Sequence, residues 1–222
     1  MGRILKPKIF KQSTIGKNKW DFALRSTNHL GTREVALYSF PGKKPIDVSF
    51  GRDENKVTLA HKRVERIYKE GTRNLSKTQG KQRTSRAGIL HTHIADGTKY
   101  VALPSVDDIL TTIDKYNRTR HGYELIGVVD QNKNRLGYTT LKINIPKIKQ
   151  LREDLLMNEF NDFVYGSKNN VTLLDKISLS IHGHTIKTKI DLYKLLPELG
   201  FEIYFTPMNG YKLDKAYNYV KK

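Results

Sequence analysis

Residues Tyr123-Glu124-Leu125-Ile126-Gly127-Val128-Val129 form a run that is almost entirely apolar, and a second strand-like run, Leu136 to Ile143, follows Asp130-Gln131-Asn132-Lys133-Asn134-Arg135. Two such runs separated by a short, turn-forming polar segment predict a β-hairpin. A strand with apolar residues on both faces must be covered on both, so the first of the pair is expected at the centre of a sheet.

The short apolar run Gly88-Ile89-Leu90 lies behind a long polar stretch and leads into His91-Thr92-His93. It reads as a buried strand, and residues two apart in a strand share a face. Two imidazoles on one face can reach one divalent ion. A carboxylate from a following helix would complete a His-His-acid set with a position open to water, the arrangement of a catalytic zinc site. The chain has no cysteine, so disulfides, iron–sulfur clusters and cysteine-rich zinc modules are excluded, and a metal must be held by His, Asp and Glu. Downstream comes Leu103-Pro104-Ser105-Val106-Asp107-Asp108-Ile109. Pro104 stops the preceding segment, and Ile109, Leu110 and Ile113 recur on one side of a helix predicted over residues 105–116. Ser105-x-x-Asp108 is also a capping pattern for a helix start, and Asp107 and Asp108 both compete for the ligand position.

The rest of the chain alternates between the two periodicities. Strands are expected over Thr32–Phe40, with Glu34 near the start, over Ile46–Phe50 and over Val57–Leu59; Val64, Ile67 and Tyr68 have helical spacing. Trp20 to Leu30 leaves its type open. Beyond Pro146, helical periodicity runs from Ile148 to about Tyr165. A strand pair near residues 177–181 and 185–190, a short helix at 192–196, a strand at 201–205 and a polar, Tyr-bearing basic tail follow. These segments predict a mixed α+β fold in three parts: a basic N-terminal extension (1–30), a main domain (31–146) and a small α+β C-terminal domain (147–222). His182-Gly183-His184 is read as an exposed turn.

The formal charge is +18, from 40 Lys and Arg against 22 Asp and Glu. Such a field favours anionic partners through on-rate and salt-sensitive affinity. Between Gly71 and Arg86 lie Arg73, Lys77, Lys81, Arg83 and Arg86, with no acid and only Leu75 as a large apolar residue. This is predicted to be a loop that presents positive charge to nucleic acid just before the histidine strand. The first nineteen residues lack a continuous apolar segment, and no stretch approaches membrane-spanning length. A cytoplasmic location without membrane contact is expected.

Glu34-Val35-Ala36, His91-Thr92-His93, Pro104 to Ile109, and the apolar strand Leu125–Val129, in that order, resemble the JAMM (MPN+/JAB) metalloprotease domain over roughly residues 30 to 145. The resemblance implies a cytidine-deaminase-like mixed sheet flanked by helices. It implies zinc held by His91, His93 and Asp108, with Glu34 as the base and Ser105 as donor to the oxyanion. The reaction would be hydrolysis of a peptide or isopeptide bond in a protein substrate or ubiquitin-like conjugate. Two features depart from the family pattern. Ile94 stands where a proline is usual, and the interval from His93 to Asp108 is long, implying an inserted loop from Ala95 to Ala102. Members of the fold without metal residues act as structural subunits. The alternative expectation is therefore a binding module whose basic surface docks on nucleic acid or a nucleoprotein complex.

Overall fold

The computed structural model describes residues 7–9, 17–50, 57–76, 79–80, 87–109, 111–112, 123–144, 146–147 and 189–222. The strands are β1 (Lys8–Ile9), β2 (Ala36–Ser39), β3 (Ile46–Asp47), β4 (Ser49–Phe50), β5 (Thr58–Leu59), β6 (Gly88–Ala95), β7 (Tyr123–Asp130), β8 (Arg135–Ile143), β9 (Phe201–Pro207), β10 (Tyr211–Leu213) and β11 (Tyr219–Lys221). Helices α1 (Lys17–Arg25), α2 (His61–Thr72), α3 (residues 106–109 and 111–112) and α4 (Lys189–Leu195) accompany them. The fold is mixed α+β: a seven-stranded sheet in the order β1-β9-β8-β7-β6-β2-β3, flanked by a few helices. Among the described residues, no helix is long and apolar enough to cross a membrane.

The apolar run that opened the sequence is β7, the central strand, with Leu125, Ile126, Val128 and Val129 all buried. It forms the expected antiparallel hairpin with β8, and Asp130 Oδ1 accepts the Asn134 N–H at 2.7 Å in the turn. On its other side β7 runs parallel to β6, with His91 opposite Ile126. Parallel neighbours need a crossover, and α3 lies on it.

Alternation along β6 decides where the histidines point. Leu90 packs with Trp20, Leu24, Val35, Leu37 and Leu125 in the core that α1 covers. Ile89 belongs to the opposite side, with Tyr38, Phe40, Val48 and Ile67 of α2. His91 and His93 share the parity of Ile89 and so face away from α1. The segment left open at Trp20–Leu30 thus contains a helix, which buries Trp20, Ala23 and Leu24 at helical spacing. Asp21 ties it to the sheet by accepting from the Tyr138 hydroxyl (2.5 Å) and by an ion pair with Arg135, whose Nη1 lies 2.8 Å away.

The C-terminal residues differ from expectation in two places. Lys189 and Ile190 begin α4 rather than ending a strand. The basic tail forms the β10–β11 hairpin, whose turn is closed by Asp214 Oδ1 accepting from the N–H groups of Ala216 (2.9 Å) and Asn218 (2.8 Å). Its tyrosines explain the difference: Tyr217 and Tyr219 are buried with Tyr193, Phe205 and Leu103, so the tail supplies core. Strand β9 pairs with β8 from Gly137↔Pro207 to Ile143↔Phe201, so the boundary expected at residue 147 falls between neighbouring strands of one sheet. Residues 148–188, which hold the expected long helix, most of the strand pair and His182-Gly183-His184, lie outside the described residues.

Tyr219 lies directly over Gly137. A Cβ on that glycine would sit 2.7 Å from ring atoms, while the Tyr219 hydroxyl donates to the Tyr138 carbonyl at 2.6 Å and cannot retreat without losing it. Gly137→Ala is therefore expected to lower unfolding free energy by about 1–3 kcal/mol in urea denaturation. Gly80→Ala, where nothing approaches within 4 Å, should be neutral or slightly stabilising.

Candidate metal centre

The two imidazoles of β6 are oriented by their outer nitrogens. His91 Nδ1 lies 2.9 Å from Glu124 Oε1, and His93 Nδ1 lies 2.8 Å from the Val101 carbonyl oxygen. Carboxylate and carbonyl both accept, so each Nδ1 carries the proton and each Nε2 presents a lone pair on the far side of its ring. There the two Nε2 atoms are 3.2 Å apart. Asp108 meets them, Oδ1 at 3.1 Å from His91 Nε2 and Oδ2 at 3.5 Å from His93 Nε2. His91 and His93 are only 5% and 7% exposed, so water does not offset the repulsion between converging lone pairs. A shared cation must.

This buried His91–His93–Asp108 group can hold a metal ion, its ligand atoms all lying within 4.8 Å of one another. The spacing suits one centre: two nitrogens about 2.0–2.1 Å from a tetrahedral ion stand about 3.3 Å apart. When the cation is a proton, it resides on His91. Burial presses the His91 pKa down most strongly, but the charge and hydrogen bond of Asp108, joined by Glu124, outweigh it and carry it up to about 10. For His93 burial prevails, with Lys189 and His91 adding to it, and the pKa is lowered despite Asp108. Burial pushes Asp108 up, yet the two histidines hold it well below the usual carboxylate range.

Glu34 reaches the site through strand pairing. Strand β2 opposes β6 with Ala36↔His91. One residue back, Thr92 N–H donates to the Val35 carbonyl (2.9 Å) and the Thr92 hydroxyl accepts the Val35 N–H (2.8 Å). The same register sets Glu34 opposite His93, on the histidine face. Burial raises the Glu34 carboxyl to about 7, with Asp108 adding to the rise while His91, Lys189 and a hydrogen bond from the Val57 backbone restrain it. A carboxyl so poised can both take and return a proton near neutrality.

At the head of α3, the Ser105 N–H donates to Asp108 Oδ2 (2.6 Å) and the Asp108 N–H donates to Ser105 Oγ (3.2 Å). This is a reciprocal cap in which the capping carboxylate is also the one facing the histidines. Asp107 is exposed and stands outside the cluster. The loop expected from Ala95 to Ala102 is docked on the C-terminal hairpin. Tyr100 N–H donates to Ala216 O (3.0 Å), Val101 N–H to Asn218 Oδ1 (3.0 Å) and Ala102 N–H to Tyr217 O (3.1 Å). The carbonyl that orients His93 is therefore held from the far end of the chain.

Three contributors went unseen in the sequence. Glu124 is 3% exposed; it takes the proton side of His91 and lies 2.6 Å from the Thr112 hydroxyl. Its signal was available, since a lone acid in an apolar strand must find a partner. Asn218 and Lys189 gave none, being ordinary polar residues distant in sequence. Lys189 Nζ donates to the Leu103 carbonyl at 3.2 Å, and burial lowers its pKa against the pull of Asp108, Glu34 and Asp96. Of the basic residues assigned to nucleic acid, Arg73 is exposed just beyond α2, while Lys77, Lys81, Arg83 and Arg86 lie outside the described residues.

No protein-family profile, curated protein or solved structure matches this chain.

Histidine-selective 15N NMR of the metal-free protein tests the hydrogen-bond arrangement. His91 should remain imidazolium through pH 8, and His93 should titrate below the ordinary histidine value, its neutral form protonated on Nδ1. Zinc and proton compete for His91 Nε2, so zinc should convert His91 to the neutral form and bind more tightly as pH rises towards about 10. Two histidines titrating together near 6.5 would contradict it.

Proposed function

We propose that this chain is a zinc-dependent metallopeptidase of JAMM type that hydrolyses peptide or isopeptide bonds in a protein substrate such as a ubiquitin-like conjugate. The observation that carries the reading is the convergence of His91 Nε2, His93 Nε2 and the Asp108 carboxylate. Glu34 approaches across the β2–β6 pair, whose ladder includes Ala36↔His91. The order of elements supports the family assignment: an acid ahead of β2, His-x-His on β6, Ser-x-x-Asp opening α3, and β7 returning parallel to β6. The donor set, two imidazole nitrogens and one carboxylate, suits zinc with one position open.

When bound, zinc supplies Lewis acidity that polarises a carbonyl and acidifies water. The protein's own groups do the remainder. Glu34 accepts the proton of the attacking water and returns it to the leaving amine, a role matched to its pKa near 7. Ser105 Oγ already accepts from Asp108, which leaves its hydroxyl proton for the developing oxyanion. Glu124 and the Val101 carbonyl keep both imidazoles turned inward throughout.

Elemental analysis should find about one zinc per wild-type chain and none in His91→Ala/His93→Ala. Glu34→Gln should keep its zinc while hydrolysis of a ubiquitin-like isopeptide conjugate falls by at least about a hundredfold. Equal zinc in wild type and the double variant would overturn the reading.

A specific surface favours a second role, recruitment to nucleic acid or nucleoprotein, or binding alone if the chain proves inactive. Lys62, Arg66 and Lys69 are exposed at helical spacing on α2, with Arg73 one turn further, opposite the face that packs Val64, Ile67 and Tyr68 on the core. If these cations contact phosphates, log affinity for random duplex should fall with log salt by about 0.9 per phosphate neutralised. Changing the four to glutamine should flatten that slope by roughly two to four. An unchanged slope would place the contacts elsewhere.

A further inference from the structure

One cation at the centre has no part in the hydrolysis described above. Lys189, the first residue of α4, is half-buried, and its ammonium donates to the carbonyl of fully buried Leu103 at 3.2 Å. Leu103 directly precedes the Pro104-Ser105 turn that opens α3, so this bond fixes the ammonium beside the residues that present Ser105 and Asp108. The charges of Asp108, Glu34 and Asp96 all act on it. It therefore lies close enough to the proposed base and the ligand carboxylate for both charges to act on it. An ammonium has three donors. Among the described residues its hydrogen-bond partner is the Leu103 carbonyl alone, which leaves two N–H groups for an incoming acceptor.

Charge balance points the same way. Above the Glu34 pKa of about 7, Asp108, Glu34 and Glu124 bring three negative charges to the centre, against two on a divalent ion. Lys189 supplies the missing positive charge, so an anion is not repelled on approach. A lysine ammonium pairs with an anion as a point charge, and a carboxylate is the anion that a peptide substrate itself supplies.

We propose that the Lys189 ammonium is a substrate-recognition group that holds a carboxylate of the substrate beside the scissile bond. The proposal rests on the hydrolase reading above. The carboxylate comes either from the substrate's C-terminus or from an acidic side chain.

The test is equilibrium binding to the full-length, zinc-loaded chain, followed by NMR titration with N-acetyl-L-alanine and with its amide. Wild type should prefer the carboxylate by about ten- to a hundredfold, the effect of one charge-assisted hydrogen-bonded pair. Lys189→Met should lose that preference with affinity for the amide unchanged, and Lys189→Arg should keep most of it. Lys189→Gln carries the same test should the methionine variant fail to fold. A wild type without preference, a Lys189→Met variant that retains it, or equal loss for both ligands would overturn the proposal, the last by showing a purely structural role.

Two capped peptides separate the sources: N-acetyl-Ala-Glu-Ala-amide presents only a side-chain carboxylate, and N-acetyl-Ala-Gln-Ala only a terminal one. Tight binding of either supports the proposal, and weak binding of both counts against it. The His91→Ala/His93→Ala variant keeps the two claims apart. A carboxylate preference that persists there without zinc leaves Lys189 standing whatever becomes of the hydrolase, and stoichiometric zinc with no preference in wild type removes Lys189 alone.

Discussion

Everything at the centre depends on two hydrogen bonds made by the outer nitrogens of two histidines. Glu124 and the Val101 carbonyl fix both protons on Nδ1, and that forces two lone pairs and the Asp108 carboxylate into one buried space. Were either acceptor missing, its imidazole could turn or change tautomer, and the arrangement would relax without a cation. The orienting groups thus create a demand for a cation, which a proton on His91 or a metal ion can meet. Each is supported in turn: Glu124 by the central strand and the Thr112 hydroxyl, Val101 by Asn218.

The centre is assembled from distant stretches of one sheet. Strand β6 carries the histidines, β2 brings Glu34, β7 brings Glu124, and the crossover between β6 and β7 brings Asp108 on α3. The path from His93 to Asp108 runs by way of the C-terminal hairpin. Residues Tyr100 to Ala102 dock on that hairpin, and the Val101 carbonyl becomes part of the site. In the same way α4 brings Lys189 to the Leu103 carbonyl. The C-terminal residues therefore serve the centre as well as the core.

How much of this was legible follows from the range of each signal. Apolar runs bounded by polar segments announced β6 and β7, and the two-residue repeat of a strand placed His91 and His93 on one face because parity along a strand is a local property. Ser105-x-x-Asp108 was readable as a cap, and it is one. The choice between Asp107 and Asp108 needed the direction in which the first turn of α3 faces, which depends on packing of Ile109 against the sheet. Asn218 and Lys189 lay beyond reach because their roles arise from contacts over 117 and 86 residues of separation. The tail was misjudged for a related reason: its tyrosines resemble surface residues until Gly137 leaves room for one of their rings.

The central claim is that two histidines and one carboxylate hold a single ion through inward-facing Nε2 atoms. X-ray absorption at the zinc edge of the loaded protein addresses it directly. The account predicts one zinc with two imidazole nitrogens at about 2.0–2.1 Å, with oxygen completing a four-coordinate shell. A spectrum with only oxygen neighbours and no imidazole scattering would contradict it.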